Sequence, residues 1–296
     1  MALGGPGAAS EGRAPAASAR SGPVVVKLGG EVLGAPALAE VVADLARAVA
    51  DTGTGGGFPD PPRFVIVHGG GPQASALSQR LGIEPRLVGG RRVTDQATLE
   101  VVKMVVAGQL NVDLVAALRA AGIAAVGLHG ASGLVRAHRR PPRPVSGGGS
   151  EPVDFGCVGD VDGFDLSLLA ILGDAGYLPV VACLGASARG EVLNINADVV
   201  ASQLAAAAGA VALIAVTGVG GVRRDAADPA TRIGRLTVAE ARAAIADGTV
   251  RGGMIPKLEE AFAPLAAGVG AVHVVGVGEI AQSLAAPGSV GTLLLP

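Results

Sequence analysis

The chain has 296 residues, half of them apolar, enough to bury one large α/β domain or two lobes. A formal net charge of -2 gives no electrostatic basis for binding nucleic acid or an anionic membrane, and 2% aromatics with no Trp leave no stacking platform for bases. The two cysteines, Cys157 and Cys183, are too few and too widely spaced for a zinc knuckle or a disulfide framework.

Residues 1–23 are rich in Ala, Gly, Ser and Pro and have no apolar h-region, so they read as a disordered tail and not as a secretory signal. A cytoplasmic protein is expected. From residue 24 onward, short apolar runs alternate with helical patterns, the signature of βαβ units around a mainly parallel sheet. The spacing predicts strands over Val24–Leu28, Phe64–Val67, Ile123–Leu128, Leu178–Leu184, Val211–Val216 and Ala271–Val275. Helices are predicted over Ala37–Ala50, Pro72–Leu81, Gln96–Ala107, Asn111–Ala121, Leu166–Ala175, Ala197–Ala208, Val238–Ala246 and Met254–Ala267. Pro72 in a first turn, Asp95 as a cap, and Thr237 with Glu240 three residues later mark helix starts.

Three segments break the rhythm. Arg86–Val93 reads as a hairpin turning on Gly89-Gly90, Leu134–Val158 carries Pro141-Pro142 and Gly147–Gly149 between strand-like pieces, and Arg189–Ile195 reads as the return of another hairpin. Two stretches imitate membrane spans: Val199–Val222 carries no charge and Ala261–Gly278 only His273. Gly209 interrupts the first and Gly268 and Gly270 the second, so each is predicted to be a helix, a glycine turn and a buried strand.

Of the glycine clusters, Gly55–Gly57 and Gly147–Gly149 sit in loop composition. His68-Gly69-Gly70-Gly71 differs: a strand precedes it and Pro72 opens a helix, which is the geometry that offers free N–H groups to an anion. Lys27-Leu28-Gly29-Gly30 has the same setting. Taken alone, either is best read as a tight βα turn; both in consecutive βα units point to an anion site. There is no Gly-Lys-Ser/Thr sequence for a Walker A loop and no His-Arg-Asp kinase loop. Gly276–Ala281 mimics a dinucleotide fingerprint, but no acidic residue follows about 20 positions on, and the turn reads as structural. His68 reads as structural and Cys183 as a small core hydrophobe.

Val26-Lys27-Leu28-Gly29-Gly30, Val67-His68-Gly69-Gly70-Gly71, Arg92-Val93-Thr94-Asp95, Asn194-Ile195-Asn196-Ala197-Asp198 and Gly252-Gly253-Met254-Ile255-Pro256-Lys257 occur in this order. Together they resemble the amino acid kinase family, over residues from about 24 to the C-terminus. The resemblance implies a three-layer αβα sandwich with a mainly parallel central sheet. It also implies two lobes: residues 24–185 for an acyl amino acid and dimerisation, and residues 186–296 for a nucleotide. Lys27 and Lys257 would neutralise the transferring phosphoryl group and Asp198 would orient both. Gly70, Gly71, Arg92 and Asn194 would serve the acceptor substrate, the last two at its α-carboxylate. Gly29, Gly30, Gly69, Thr217, Gly218 and Gly253 would serve phosphate and nucleotide, with backbone N–H groups of Gly30 and Gly70 on the phosphoryl oxygens.

The activity implied is ATP-dependent phosphorylation of the γ-carboxylate of N-acetyl-L-glutamate in arginine biosynthesis, with Mg²⁺ held mainly by the nucleotide, no metal site on the protein, and a homodimer. A kinase for an N-modified aminoadipate and an inactive sensor of the same fold are the alternatives. A carboxylate nucleophile is already ionised at neutral pH, so no strong base is needed, and the missing Ser-His-Asp and metal-ligand constellations are expected. The sequence departs from the family pattern at Gly218, where an Asp is usual, and in a shorter C-terminus beyond His273 without the usual last helix. Asp51–Pro62 look like an insertion. Met1–Pro23 lack the amphipathic helix of arginine-inhibited hexamers, so a dimer without feedback inhibition is expected.

Overall fold

Apolar runs such as Val24-Val25-Val26 and Phe64-Val65-Ile66-Val67 carry no polar face, so they are stable only where helices cover both sides of a sheet. In the computed structural model, which describes residues 22–53, 63–144, 151–225, 228–251 and 254–296, they lie in the middle of an eight-stranded sheet. Across it the order is Arg235–Thr237, Thr292–Leu295, Val272–Val275, Ala212–Val216, Val24–Leu28, Phe64–His68, Leu178–Ala182 and Ala125–His129. The six strands from Val272–Val275 to Ala125–His129 are parallel, and Thr292–Leu295 turns antiparallel at one edge with Arg235–Thr237 following its direction. The expected mainly parallel α/β sheet is what forms, and its central strands are buried almost throughout.

Several boundaries differ from expectation. The predicted Leu178–Leu184 strand ends at Ala182, Cys183 breaks it, and Leu184–Ala186 leaves for a second, four-stranded sheet. There Leu184–Ala186 pairs antiparallel with Val192–Asn194, the expected hairpin return, while Val135–Arg139 pairs with Gly159–Phe164. The latter strand carries two glycines and two aspartates, a loop-like composition that hid it. Leu87–Val88 and Arg91–Arg92 form the expected hairpin on Gly89-Gly90, whose φ of 55° and 74° need glycine. The helices expected at Gln96–Ala107 and Asn111–Ala121 run together as Gln96–Ala120, with a π-helical stretch over Lys103–Leu110. The C-terminal residues hold more than expected: a helix over Ile280–Ala285 and the strand Thr292–Leu295, which lies between Arg235–Thr237 and Val272–Val275. The tail expected from composition lies mostly outside the described residues, as do Gly55–Gly57 and Gly147–Gly149.

The caps form as the sequence implies: Asp95 accepts from the Thr98 N–H, and Thr237 with Glu240 closes a capping box. Both span-like stretches resolve into helix, turn and strand: Ala197–Ala207 then Ala212–Val216, and Met254–Ala266 then Val272–Val275. Gln96–Ala120 is the one described helix long and apolar enough to cross a membrane, and it turns Val101, Val102, Val105, Leu114 and Leu118 into the core.

Sequence gives no hint of one long-range tie. Asp44, buried in helix Ala37–Gly53, accepts from the Ile280 N–H at 2.5 Å and the Ala281 N–H at 3.4 Å, so it caps the C-terminal helix from 236 residues away. Asp44→Ala leaves those N–H groups unpaired in the interior and is expected to cost about 2 kcal/mol. Urea unfolding checks this; a midpoint unchanged at constant slope would contradict it.

Candidate active site

Strand Val24–Leu28 is buried except where Lys27 sends its ammonium beyond the sheet. Asp198 stands in the first turn of helix Ala197–Ala207, which Asn196 caps by accepting the Asp198 N–H at 2.8 Å. The two side chains meet with Nζ 2.7 Å from Oδ1, 12% and 29% exposed respectively. Burial alone would push the Lys27 ammonium towards its neutral form. The Asp198 carboxylate, with Glu31 and Glu260 nearby, outweighs burial and holds the lysine pKa above its ordinary value.

The pair sits where two cavities join. The first, about 360 Å³, is lined by Lys27, Gly29, Gly30, Gly69, Gly70 and Gly71 with Arg92, Asn194 and Asp198, so most residues singled out in the sequence converge there. The second, about 280 Å³, shares Lys27, Glu31 and Asp198 and continues along the apolar sheet face of Leu213, Ala215, Val272 and Val274 to Thr217, Ser202 and Glu260.

The two glycine turns are clamped together. Gln73, in the first turn of helix Gly71–Arg80, donates from Nε2 to the Gly30 carbonyl at 2.7 Å. A Cβ on Gly30 would stand 2.7 Å from Pro72 Cδ and 2.8 Å from Gln73 Oε1; one on Gly70 would stand 2.4 Å from Leu110 Cδ1. Glycine is needed at both for close approach. Among the described residues neither the Gly30 nor the Gly70 N–H has a protein acceptor, and each lies at a helix start facing the first cavity. The Gly69 N–H, by contrast, is taken by the Leu28 carbonyl at 3.1 Å, so Gly69 shapes the turn but does not offer its amide.

Arg92 reaches across from its hairpin to donate from Nη2 to the Gly71 carbonyl at 2.9 Å and to Ser75 Oγ at 2.5 Å. Its other terminal nitrogen, Nη1, is buried without a partner. An unpaired buried guanidinium donor on a cavity wall fits a carboxylate. Asn194 donates to Thr94 Oγ1 at 3.0 Å, which fixes its amide at the same wall.

His68 is structural, as expected: fully buried, it donates from Nδ1 to the Gly69 carbonyl and accepts from Asn111 on Nε2, both at 2.9 Å. Burial lowers its pKa and keeps the ring neutral. Cys183 borders the first cavity, and burial pushes its thiol up to about 12, so it is inert as a nucleophile.

The nucleotide side is less complete. Thr217 lines the second cavity, while Gly218 lines neither and has open space where a Cβ would be. Sterics therefore do not demand glycine there. Gly252 and Gly253 lie outside the described residues. Lys257 is on helix Met254–Ala266, in which Glu260 and Ala261, three and four residues further on, line the second cavity.

Two site residues escaped the sequence reading: Arg140 and Arg143 also line the first cavity. They follow a strand in an Arg- and Pro-rich segment whose composition reads as solvated loop, and only the unusual run His138–Arg143 hinted otherwise.

This fold and site define a phosphotransferase class: the chain belongs to the amino acid kinase family, whose model matches residues 22–276. It is 56% identical to an acetylglutamate kinase of Sorangium cellulosum over 97% of this chain and 99% of the relative. An acetylglutamate kinase of an Anaeromyxobacter strain is 55% identical over 92% of this chain and 98% of its own length. Among solved structures, N-acetylglutamate synthase from Neisseria gonorrhoeae superposes with a TM-score of 0.75 at 23% identity over 94% of this chain. This chain spans 60% of that protein, a likeness of fold alone.

Proposed function

We propose that this protein transfers the γ-phosphoryl group of ATP to the γ-carboxylate of N-acetyl-L-glutamate, giving N-acetyl-L-glutamyl 5-phosphate and ADP in arginine biosynthesis. The observation that carries the proposal is the Lys27–Asp198 pair, set between two cavities beside the unpaired Gly30 and Gly70 N–H groups. Relatives at 54–56% identity named acetylglutamate kinase support this acid over an aminoadipate derivative and favour an enzyme over an inactive sensor.

In the proposed reaction a substrate carboxylate oxygen forms the new bond to phosphorus as the bond to the bridging oxygen of ADP breaks, and no proton moves. Catalysis is then positioning and charge compensation. Lys27 lies against the equatorial oxygens, and the Gly30 and Gly70 N–H groups donate to them from the other side. Arg92 Nη1 and Asn194 hold the α-carboxylate end, so the γ-carboxylate faces the glycine turns. Asp198 fixes Lys27 and keeps it charged. By resemblance, Lys257 completes the neutralisation from the nucleotide side. Residues 24–185 and 186–296 then act as two lobes that close on the substrates.

The second cavity, apolar on the sheet face and open to Lys27, suits ATP. Glu31 and Glu260 also border it. Mg²⁺ bound to the phosphates would offset their charge. A cytoplasmic setting accords with an ATP-dependent biosynthetic step.

The homodimer would join along the strand Ala125–His129, which among the described residues is paired on one side only, beside Val112, which is 61% exposed. Light scattering should read twice the 28.8 kDa chain mass; a monomer at micromolar concentration would contradict it.

Trapping acyl phosphate with hydroxylamine tests the activity. The hydroxamate should form from N-acetyl-L-glutamate with ATP and Mg²⁺. Product only from the N-acetyl-aminoadipate compound would overturn the choice of substrate, and none from any acid would overturn the kinase reading.

A further inference from the structure

Arg140 is a guanidinium built into the floor of the first cavity. It is 7% exposed, follows strand Val135–Arg139, and its backbone N–H donates to the Val158 carbonyl at 2.8 Å. Asp160, on the partner strand Gly159–Phe164, accepts from Nε at 2.9 Å and from Nη2 at 2.6 Å through one oxygen. This grips one edge of the planar fork and fixes its orientation. Among the described residues Nη1 has no protein partner, and Arg140 lines the cavity.

A guanidinium is costly to bury, and a pair with one carboxylate rarely repays that by stability alone. Its surroundings say what it would read. Phe155 and Val158 line the same cavity, with Val102 and Val106 from the long helix, so an oriented donor stands against an apolar wall. A small acyl group has that complementary pattern: one carbonyl oxygen that accepts and one methyl group that needs apolar contact. The free carboxylates of the substrate already have their donors, at Lys27 with the glycine turns and at Arg92 with Asn194.

We infer that Arg140, held by Asp160, is a specificity residue that donates to the N-acyl carbonyl oxygen of the substrate while Phe155 and Val158 pack on the acyl methyl. The inference rests on the acyl amino acid kinase reading above. It gives the cavity three recognition points in place of two and explains why a site for a dianion carries a further buried cation that is already neutralised by Asp160. Arg143, which lines the cavity and adds to the positive field at Asp160, is left as a peripheral contact.

The test compares N-acetyl-L-glutamate with glutarate, the same dicarboxylate without its acylamino arm, used as a competitive inhibitor. In Arg140→Leu, KM for N-acetyl-L-glutamate should rise roughly 10- to 100-fold, the range for losing a hydrogen bond from a charged donor. KM for ATP and the inhibition constant of glutarate should stay within about twofold of the unmodified enzyme. Because Arg140→Leu strands Asp160, the double variant Arg140→Leu/Asp160→Leu removes the pair together and should give the same split between the two ligands. A parallel loss of glutarate and N-acetyl-L-glutamate in both variants would mean that Arg140 serves a carboxylate or the scaffold, and would overturn the inference. An unchanged KM for N-acetyl-L-glutamate would overturn it as well. If the unmodified protein turns over no N-acetyl-L-glutamate, the underlying functional reading fails, a result distinct from either.

Discussion

Lys27→Met is expected to lower kcat by roughly 100- to 1,000-fold, the usual effect of deleting one preorganised charge-stabilising group, while KM for both substrates changes little. Lys27 is anchored on a central strand whose neighbours Ala215 and Val67 hold it in register, so its ammonium is placed before substrate arrives. It is shared by both cavities, which is where charge develops as phosphorus passes from one oxygen to the other. Methionine keeps much of the stem packing and removes only the charge. Steady-state kinetics on Lys27→Met and the unmodified enzyme reads the result. A rise confined to KM with intact kcat would assign Lys27 to ground-state binding instead.

Asp198→Asn acts through the same lysine, and its signature is in the pH profile. Burial disfavours the ammonium of Lys27, and the carboxylate of Asp198 is the main counterweight. Removing that negative charge lets burial prevail, so the lysine pKa falls. The active form is the protonated one, present below that pKa and lost as pH rises through it. The alkaline limb of kcat/KM should therefore move to lower pH in Asp198→Asn, and kcat on the plateau should fall roughly 10- to 100-fold. The asparagine still accepts a hydrogen bond, so thermal stability serves as the control for folding. An alkaline limb that stays in place would mean that Asp198 does not govern the charge of Lys27.

What the sequence revealed followed from chemistry that is local to the backbone. Uninterrupted valines can only be strands covered on both sides, and glycine pairs directly after them can only be tight βα turns. That made the sheet and the Lys27, Gly30, Gly70 cluster legible, with Asn194 and Asp198 added by the order of the motifs. The gaps arise where a residue's partner is distant. Arg140 reads as one more loop arginine until Asp160, on a strand disguised by glycine and aspartate, buries it. Asp44 carries no mark in the sequence of its partner Ile280, 236 residues away. The break at Cys183 was hidden for a different reason: the run Leu178–Leu184 is apolar throughout, and periodicity does not mark where a strand leaves one sheet for another. At Gly69 the motif does not tell which amides are already used: its N–H goes to the Leu28 carbonyl.

The central claim is that Lys27, Asp198 and the two glycine turns form a site for carboxylate phosphorylation, and phosphorus NMR of the purified protein with ATP, Mg²⁺ and N-acetyl-L-glutamate tests it most directly. The ATP γ-signal should be lost, matched by ADP and an acyl phosphate resonance, with both changes abolished in Lys27→Met. Conversion of ATP to ADP and inorganic phosphate at the same rate with and without N-acetyl-L-glutamate, or acyl phosphate formation undiminished in Lys27→Met, would contradict it.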